Sequence, residues 1–146
     1  MRVGIVGGCF AGLAAAIMFR RGGHDVSLFE KAGGPTFAGG AISLAANALA
    51  CLSILGVRDR VKTEPWSHTP ATVRTPAGRV LIRRTLAELT GGRQYAAVPR
   101  RELLRWLADE LPHDCLHYSS TVTQVSADGV LSVGDSEQRF DLIVAA

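Results

Sequence analysis

Val3-Gly4-Ile5-Val6-Gly7-Gly8-Cys9-Phe10-Ala11-Gly12-Leu13-Ala14-Ala15-Ala16-Ile17, followed by Asp25-Val26-Ser27-Leu28-Phe29-Glu30, is the stretch whose reading decides the fold. Arg2 to Val6 is apolar without alternation, as expected of a parallel strand buried on both faces. Ala11 to Arg21 follows a helical period, with Gly12 and Ala16 on one face at i, i+4 and Leu13 and Ile17 likewise. Gly22-Gly23 supplies the stop, and Asp25 to Glu30 reads as a second strand. Strand, helix and strand within about 30 residues make a βαβ unit with an expected right-handed crossover. The predicted class is α/β with a parallel sheet.

The same N-terminal run raises the question of a signal peptide, since Arg2 precedes it and Ala14-Ala15-Ala16 resembles a cleavage site. Gly4, Gly7, Gly8 and Gly12 argue against this, because glycine costs about 1 kcal/mol per helical position. The run is also marginal beside the ~20 residues a bilayer span needs. Downstream, Gly33-Gly34-Pro35 and Gly39-Gly40 mark a loop. Ala45 to Leu55 reads as a helix with Leu44, Ala48, Leu52 and Leu55 as its stripe and Gly56 as its stop. Thr72 to Thr75 and Arg79 to Ile82 flank Pro76-Ala77-Gly78 as a hairpin. Arg100 to Leu111 is a helix, with Leu103, Leu104, Leu107 and Leu111 at its spacing. Thr121 to Ser126, Val130 to Val133 and Arg139 to Val144 follow as strands, with turns at Asp128-Gly129 and Gly134-Asp135.

A chain of 146 residues, 47% hydrophobic, is one domain's worth of ordinary globular composition. The net charge of +3 comes from 16 basic and 13 acidic residues, with the arginines scattered, which disfavours a nucleic-acid partner. Cys9, Cys51 and Cys115 are odd in number and lack metal spacing, so neither a disulfide framework nor a metal site is expected, and a cytoplasmic location fits. Cys51 and Cys115 read as small buried hydrophobes. Cys9 reads as packing too, although a helix N-terminus lowers a thiol's pKa. His24, His68, His113 and His117 share no spacing and read as surface or turn residues. Trp66 and Trp106 read as core-edge residues, and Arg83-Arg84 as a solvated pair.

The chemistry lies in the first turn. A dinucleotide site needs a tight strand-to-helix turn whose backbone N–H groups approach a diphosphate at the positive end of a helix. Gly7-Gly8-Cys9-Phe10-Ala11-Gly12 keeps the first and third glycines of G-x-G-x-x-G, with Cys9 at the middle position, where only a small side chain is tolerated. Glu30 lies 18 residues beyond Gly12, at the end of the second strand, where an acid takes ribose hydroxyls and disfavours a 2′-phosphate.

With these residues in view, Val3 to Lys31 resembles the N-terminus of the FAD-dependent aromatic monooxygenases related to para-hydroxybenzoate hydroxylase. Three further segments are similar in the same order: Gly39-Gly40-Ala41-Ile42-Ser43-Leu44-Ala45-Ala46-Asn47-Ala48-Leu49, Val98-Pro99-Arg100-Arg101-Glu102-Leu103-Leu104-Arg105, and Phe140-Asp141-Leu142-Ile143-Val144-Ala145-Ala146. The resemblance implies a Rossmann-like, three-layer FAD-binding fold with hairpin and meander additions. It implies FAD contacts at Gly7, Gly8, Cys9, Phe10, Ala11, Gly12, Glu30, Lys31, Arg100 and Val122. It also implies a cycle in which NADPH or NADH reduces FAD and oxygen then delivers one atom to an aromatic small molecule. No catalytic residue is assignable.

The departures are Cys9, and Thr36 and Phe37 where many members place an Arg. The resemblance further implies one FAD-binding domain over 1–146, incomplete because the sequence reaches Ala146 where the family's Asp-Gly flavin motif and most of the substrate domain would follow. Apolar surface that packs on that half is then expected to be exposed, with weak or no FAD binding and no turnover. Two other readings stay open: another flavoenzyme of this fold, such as a halogenase or reductase, or a non-enzymatic truncated remnant.

Overall fold

The computed structural model describes residues 1–34, 39–62 and 70–146. They divide into two compact units, Met1–Gly40 with Pro99–Ala146, and Ala41–Val98.

The first unit is built on β1 (Arg2–Val6), whose β-branched residues suit a strand. It leads into α1 (Phe10–Arg21) and β2 (Asp25–Phe29). Val3 pairs with Val26 and Ile5 with Leu28 in parallel register. On the other side of β1 lies β11 (Leu142–Ala145), also parallel, and beyond β2 the two-residue β7 (Leu116–His117), giving the order β11-β1-β2-β7. This is the predicted α/β class with its parallel sheet. Leu13, Ala16 and Ile17 of α1 are buried, as their spacing requires, and so are Val3, Ile5, Val26 and Leu28. The second long helix, α4 (Arg100–Asp109), packs against α1 and buries Leu103, Leu104 and Leu107.

A meander of β8 (Val122–Val125), β9 (Val130–Val133) and β10 (Ser136–Arg139) forms its own antiparallel sheet. Leu131 and Phe140 bury against Phe29. A Cβ on Gly4 would stand 2.9 Å from both the Leu131 and Phe140 side chains, so glycine in β1 is what lets this layer approach. Because side chains alternate along a strand, Val3 and Ile5 point to the opposite face from Gly4.

The stretch expected as one strand from Arg139 to Val144 is two. β10 pairs with β9 and β11 with β1, and between them Phe140 donates its N–H to Gly129 O at 2.8 Å and Asp141 to Arg2 O at 2.9 Å. The Asp141 carboxylate also accepts the Arg2 N–H at 2.7 Å, which pins the crossing between sheets.

The second unit holds β3 (Ala41–Ala45) and β6 (Tyr95–Pro99) as a two-stranded sheet, with α2 (Ala46–Ile54) between them in sequence. Ala45 is thus a strand end and not a helix start. The α2 stripe is Leu49 and Leu52, continued by Leu55 and Val57, while Leu44 buries from β3 and Ala48 is only half-buried. Cys51, expected inside, is exposed, because it lies on the other side of α2 from that stripe. The predicted hairpin is β4 (Pro70–Arg74) with β5 (Val80–Thr85), and it exposes Val73, Val80, Leu81 and Ile82.

A short helix missed in the sequence, α3 (Leu86–Thr90), begins in a capping box. The Thr85 hydroxyl accepts the Glu88 N–H, and the Glu88 carboxylate accepts the Thr85 N–H at 2.7 Å. That backbone bond, then the Thr85 hydroxyl and the Arg84 charge, holds the Glu88 carboxyl below the usual glutamate range. A depressed carboxyl stabilises above its unfolded pKa and ceases to as pH falls through the folded one. In Thr85→Ala, the Glu88 side-chain titration followed by NMR is expected to move upward; an unmoved midpoint would contradict the box.

Candidate functional site

Between Val6 and Phe10 the chain turns from strand to helix in three residues. Gly7 has φ +108 and donates its N–H to Phe29 O at 2.8 Å, so β2 fixes the turn's start. Cys9 is the helix N-cap in extended conformation, but its side chain makes no capping bond. The first intrahelical bond runs from Leu13 N–H to Cys9 O at 3.0 Å. The N–H groups of Phe10, Ala11 and Gly12 therefore precede the ladder and face out of the helix end. No acidic residue stands in the first turn of α1, while Arg20 and Arg21 occupy the last. The positive end of the dipole is thus left for an external anion.

Glu30 closes the turn from the side. Its carboxylate accepts the Gly8 N–H at 2.7 Å and the Ala32 N–H at 2.8 Å. A Cβ on Gly8 would lie 3.0 Å from the Glu30 Cβ, so the second glycine of the turn makes room for the acid. A Cβ on Gly12 would collide with the Gly7 carbonyl, which is why the helix can start this close to the strand. Burial first, then the negative charge of Glu30, pushes the Tyr118 hydroxyl up.

Two concavities flank this turn. One, of about 120 Å³, is lined by Gly8, Cys9, Glu30, Gly34, Arg100 and Leu104. The other, of about 310 Å³, includes Gly7, Cys9, Glu30, Lys31, Thr121 and Val122. Cys9 and Glu30 line both. Arg100, the first residue of α4, donates its backbone N–H to Gly40 O at 3.0 Å, and its guanidinium lies 5.5 Å from the Phe10 ring centre.

The residues singled out from the sequence therefore gather around one turn, with Lys31 and Val122 at its larger concavity and Arg100 at its smaller one. Ala11 stands exposed beside them. Gly34, Leu104, Ser120 and Thr121 were not foreseen; their positions depend on α4 and on the segment after β7, where Ser120 N–H donates to Glu30 O at 2.9 Å. The departures Thr36 and Phe37, and likewise His68 and Trp66, lie outside the described residues. His117, expected at the surface or a turn, is half-buried in β7 and stacks on Phe29 with ring centres 5.0 Å apart. Among the described residues, no three His, Cys, Asp or Glu side chains gather as a metal site, and no helix is long and apolar enough to cross a membrane.

A turn with no room for a Cβ at Gly7, Gly8 or Gly12, N–H groups ahead of the helical ladder and an acid within reach suit a diphosphate bearing a ribose. The profile of the family described as FAD binding domain matches residues 1–135. The chain belongs to that family.

The relatives of this FAD-binding domain include hydroxylases and monooxygenases. It is 31% identical to a salicylate hydroxylase of Pseudomonas putida, covering all of this chain and 36% of that protein. To the FAD-dependent urate hydroxylase of Klebsiella pneumoniae it is 29% identical, covering all of this chain and 40% of that enzyme. Among solved structures, a variant of 2-methyl-3-hydroxypyridine-5-carboxylic acid oxygenase superposes with TM-score 0.76 at 28% identity over 97% of this chain and 38% of that one. Klebsiella pneumoniae HpxO, solved with FAD and uric acid, superposes with TM-score 0.73 at 27% identity over 98% and 38%. The chain thus spans about two-fifths or less of the length of the proteins it matches.

Proposed function

We propose that this FAD-binding domain serves an NADPH- or NADH-dependent, oxygen-using monooxygenase that hydroxylates an aromatic or heteroaromatic small molecule. The observation that carries the reading is the turn from Gly7 to Gly12, with the N–H groups of Phe10, Ala11 and Gly12 ahead of the helical ladder that opens at Leu13 and Glu30 at its flank. Those N–H groups would hold the diphosphate, with Gly7, Gly8 and Cys9 shaping the approach. Glu30 would take the ribose hydroxyls, and Lys31 and Val122 would border the nucleoside in the larger concavity. Arg100 would place a positive charge beside the diphosphate. The chemistry that bound FAD supplies is hydride acceptance from the nicotinamide cofactor and oxygen transfer to an electron-rich ring.

The salicylate and urate named for the relatives support a substrate that is a small planar ring carrying oxygen substituents. Three unpaired thiols, at Cys9, Cys51 and Cys115, suit the reducing cytoplasm.

The test is a titration of the 146-residue chain with FAD, read by quenching of flavin fluorescence. Since the relatives hold their cofactor with a longer chain, binding is expected to be weak, with Kd on the order of 10–100 μM, and without turnover. Arg100→Ala is expected to weaken it about tenfold. A wild-type chain that quenches nothing up to about 1 mM FAD would refute the reading.

A further inference from the structure

We infer that Phe10 is a positioning residue that holds the Arg100 guanidinium beside the glycine turn, an inference that rests on the FAD reading of that turn. Phe10 is the first residue of α1, a position that its helix propensity does not favour. It is only half-buried and stands outside the buried core. Over the ring stands Arg100, whose guanidinium carbon lies 5.5 Å from the ring centre, within the range of a cation–π contact.

Two further features restrict the same side chain. The Arg100 N–H donates to Gly40 O at 3.0 Å, which anchors the backbone from which the side chain springs. On the other flank, Gly39 has φ +117, and a Cβ there would stand 3.2 Å from the Arg100 Cδ and 3.7 Å from its Nη1. The arginine stem thus passes close over a glycine, and its head meets an aromatic ring. Arg100 also lines the concavity shared by Gly8, Cys9 and Glu30. A long cation held this way loses less freedom when an anion arrives than one that must first be ordered. Phe10 would therefore act on FAD through Arg100, at a position where the glycine motif asks only for a residue that does not obstruct.

Two readouts test this. In the wild-type chain, the Arg100 side-chain NMR signals are expected to be shifted by the ring current, to lose that shift in Phe10→Leu and to keep it in Phe10→Tyr. FAD affinity is expected to fall about 2–5-fold in Phe10→Leu, to recover in Phe10→Tyr, and to show no further loss when Phe10→Leu is added to Arg100→Ala. Arg100 signals indifferent to Phe10→Leu would overturn the inference. So would an equal loss from Phe10→Leu with and without Arg100, which marks the ring as acting on its own. A wild-type chain that binds no FAD removes the cofactor reading first, and this role with it; a chain that binds FAD with an additive cycle removes the role of Phe10 alone.

Discussion

Gly12→Ala is expected to lower the stability of the chain by about 2–4 kcal/mol and to abolish measurable FAD binding. The substitution would ordinarily help, because alanine favours a helix over glycine by about 1 kcal/mol. Here the added methyl runs into the Gly7 carbonyl and comes within 3.3 Å of the Ala146 Cβ. The carbonyl cannot retreat cheaply. Gly7 is tied through its N–H to Phe29 O, already occupies φ +108, and lies against the Ala146 carbonyl. Relief must come from moving α1 away from the sheet, which opens the packing of Leu13, Ala16 and Ile17. Urea unfolding followed by far-UV circular dichroism reads the effect. A variant within about 0.5 kcal/mol of wild type would show that the helix is not pressed against the turn as described. Ala15→Gly, in the same helix but half-buried, serves as the control and is expected to cost only about 1 kcal/mol.

The contrast between these two positions bears on what a sequence makes legible. β1, α1 and β2 were readable because their determinants are local: an apolar run, a helical period and a glycine stop, each within a dozen residues. Glu30 was readable because its distance from Gly12 is set by one helix and one strand. β3 and β6 were not, since each is held by a partner some fifty residues away in the chain, and Ile42 and Leu44 alone do not separate a strand from a helix start. The break at Phe140-Asp141 was hidden for the same reason, because the two halves of that apolar stretch answer to different sheets. α3 is another matter: Thr85-x-x-Glu88 is a capping-box signature, so the start of this helix is legible from local residues alone. Within the site, Lys31 and Val122 came from resemblance alone, and the contacts of Phe10 and Gly39 with Arg100 depend on how α4 packs on α1, which no local spacing encodes.

Glu30→Ala carries the second large effect, and it should appear in two quantities at once. The carboxylate spans two backbone donors, Gly8 on the turn and Ala32 beyond β2, at 2.7 and 2.8 Å. Hydrogen bonds to a charged group contribute about 1.5–3 kcal/mol each when shielded. This group is only partly buried, so the loss of both is expected to cost about 2 kcal/mol in all. The Gly8 N–H would then lose its partner, the turn would be free to rotate, and any ribose hydroxyl bound by the acid would lose its acceptor. FAD affinity is therefore expected to fall by about 30–100-fold, to a Kd on the order of 0.3–10 mM. Glu30→Gln separates the two contributions. Its amide oxygen can accept from one backbone N–H but its NH₂ cannot accept from the other, so stability should fall by about 1 kcal/mol while affinity falls most of the way. Urea unfolding reads the first quantity and flavin fluorescence the second. If Glu30→Ala unfolds at the wild-type urea concentration, the bridge to Gly8 and Ala32 contributes nothing to the turn. If instead it loses stability yet keeps its affinity for FAD, the acid braces the turn without touching the nucleotide, and the ribose assignment falls while the fold argument stands.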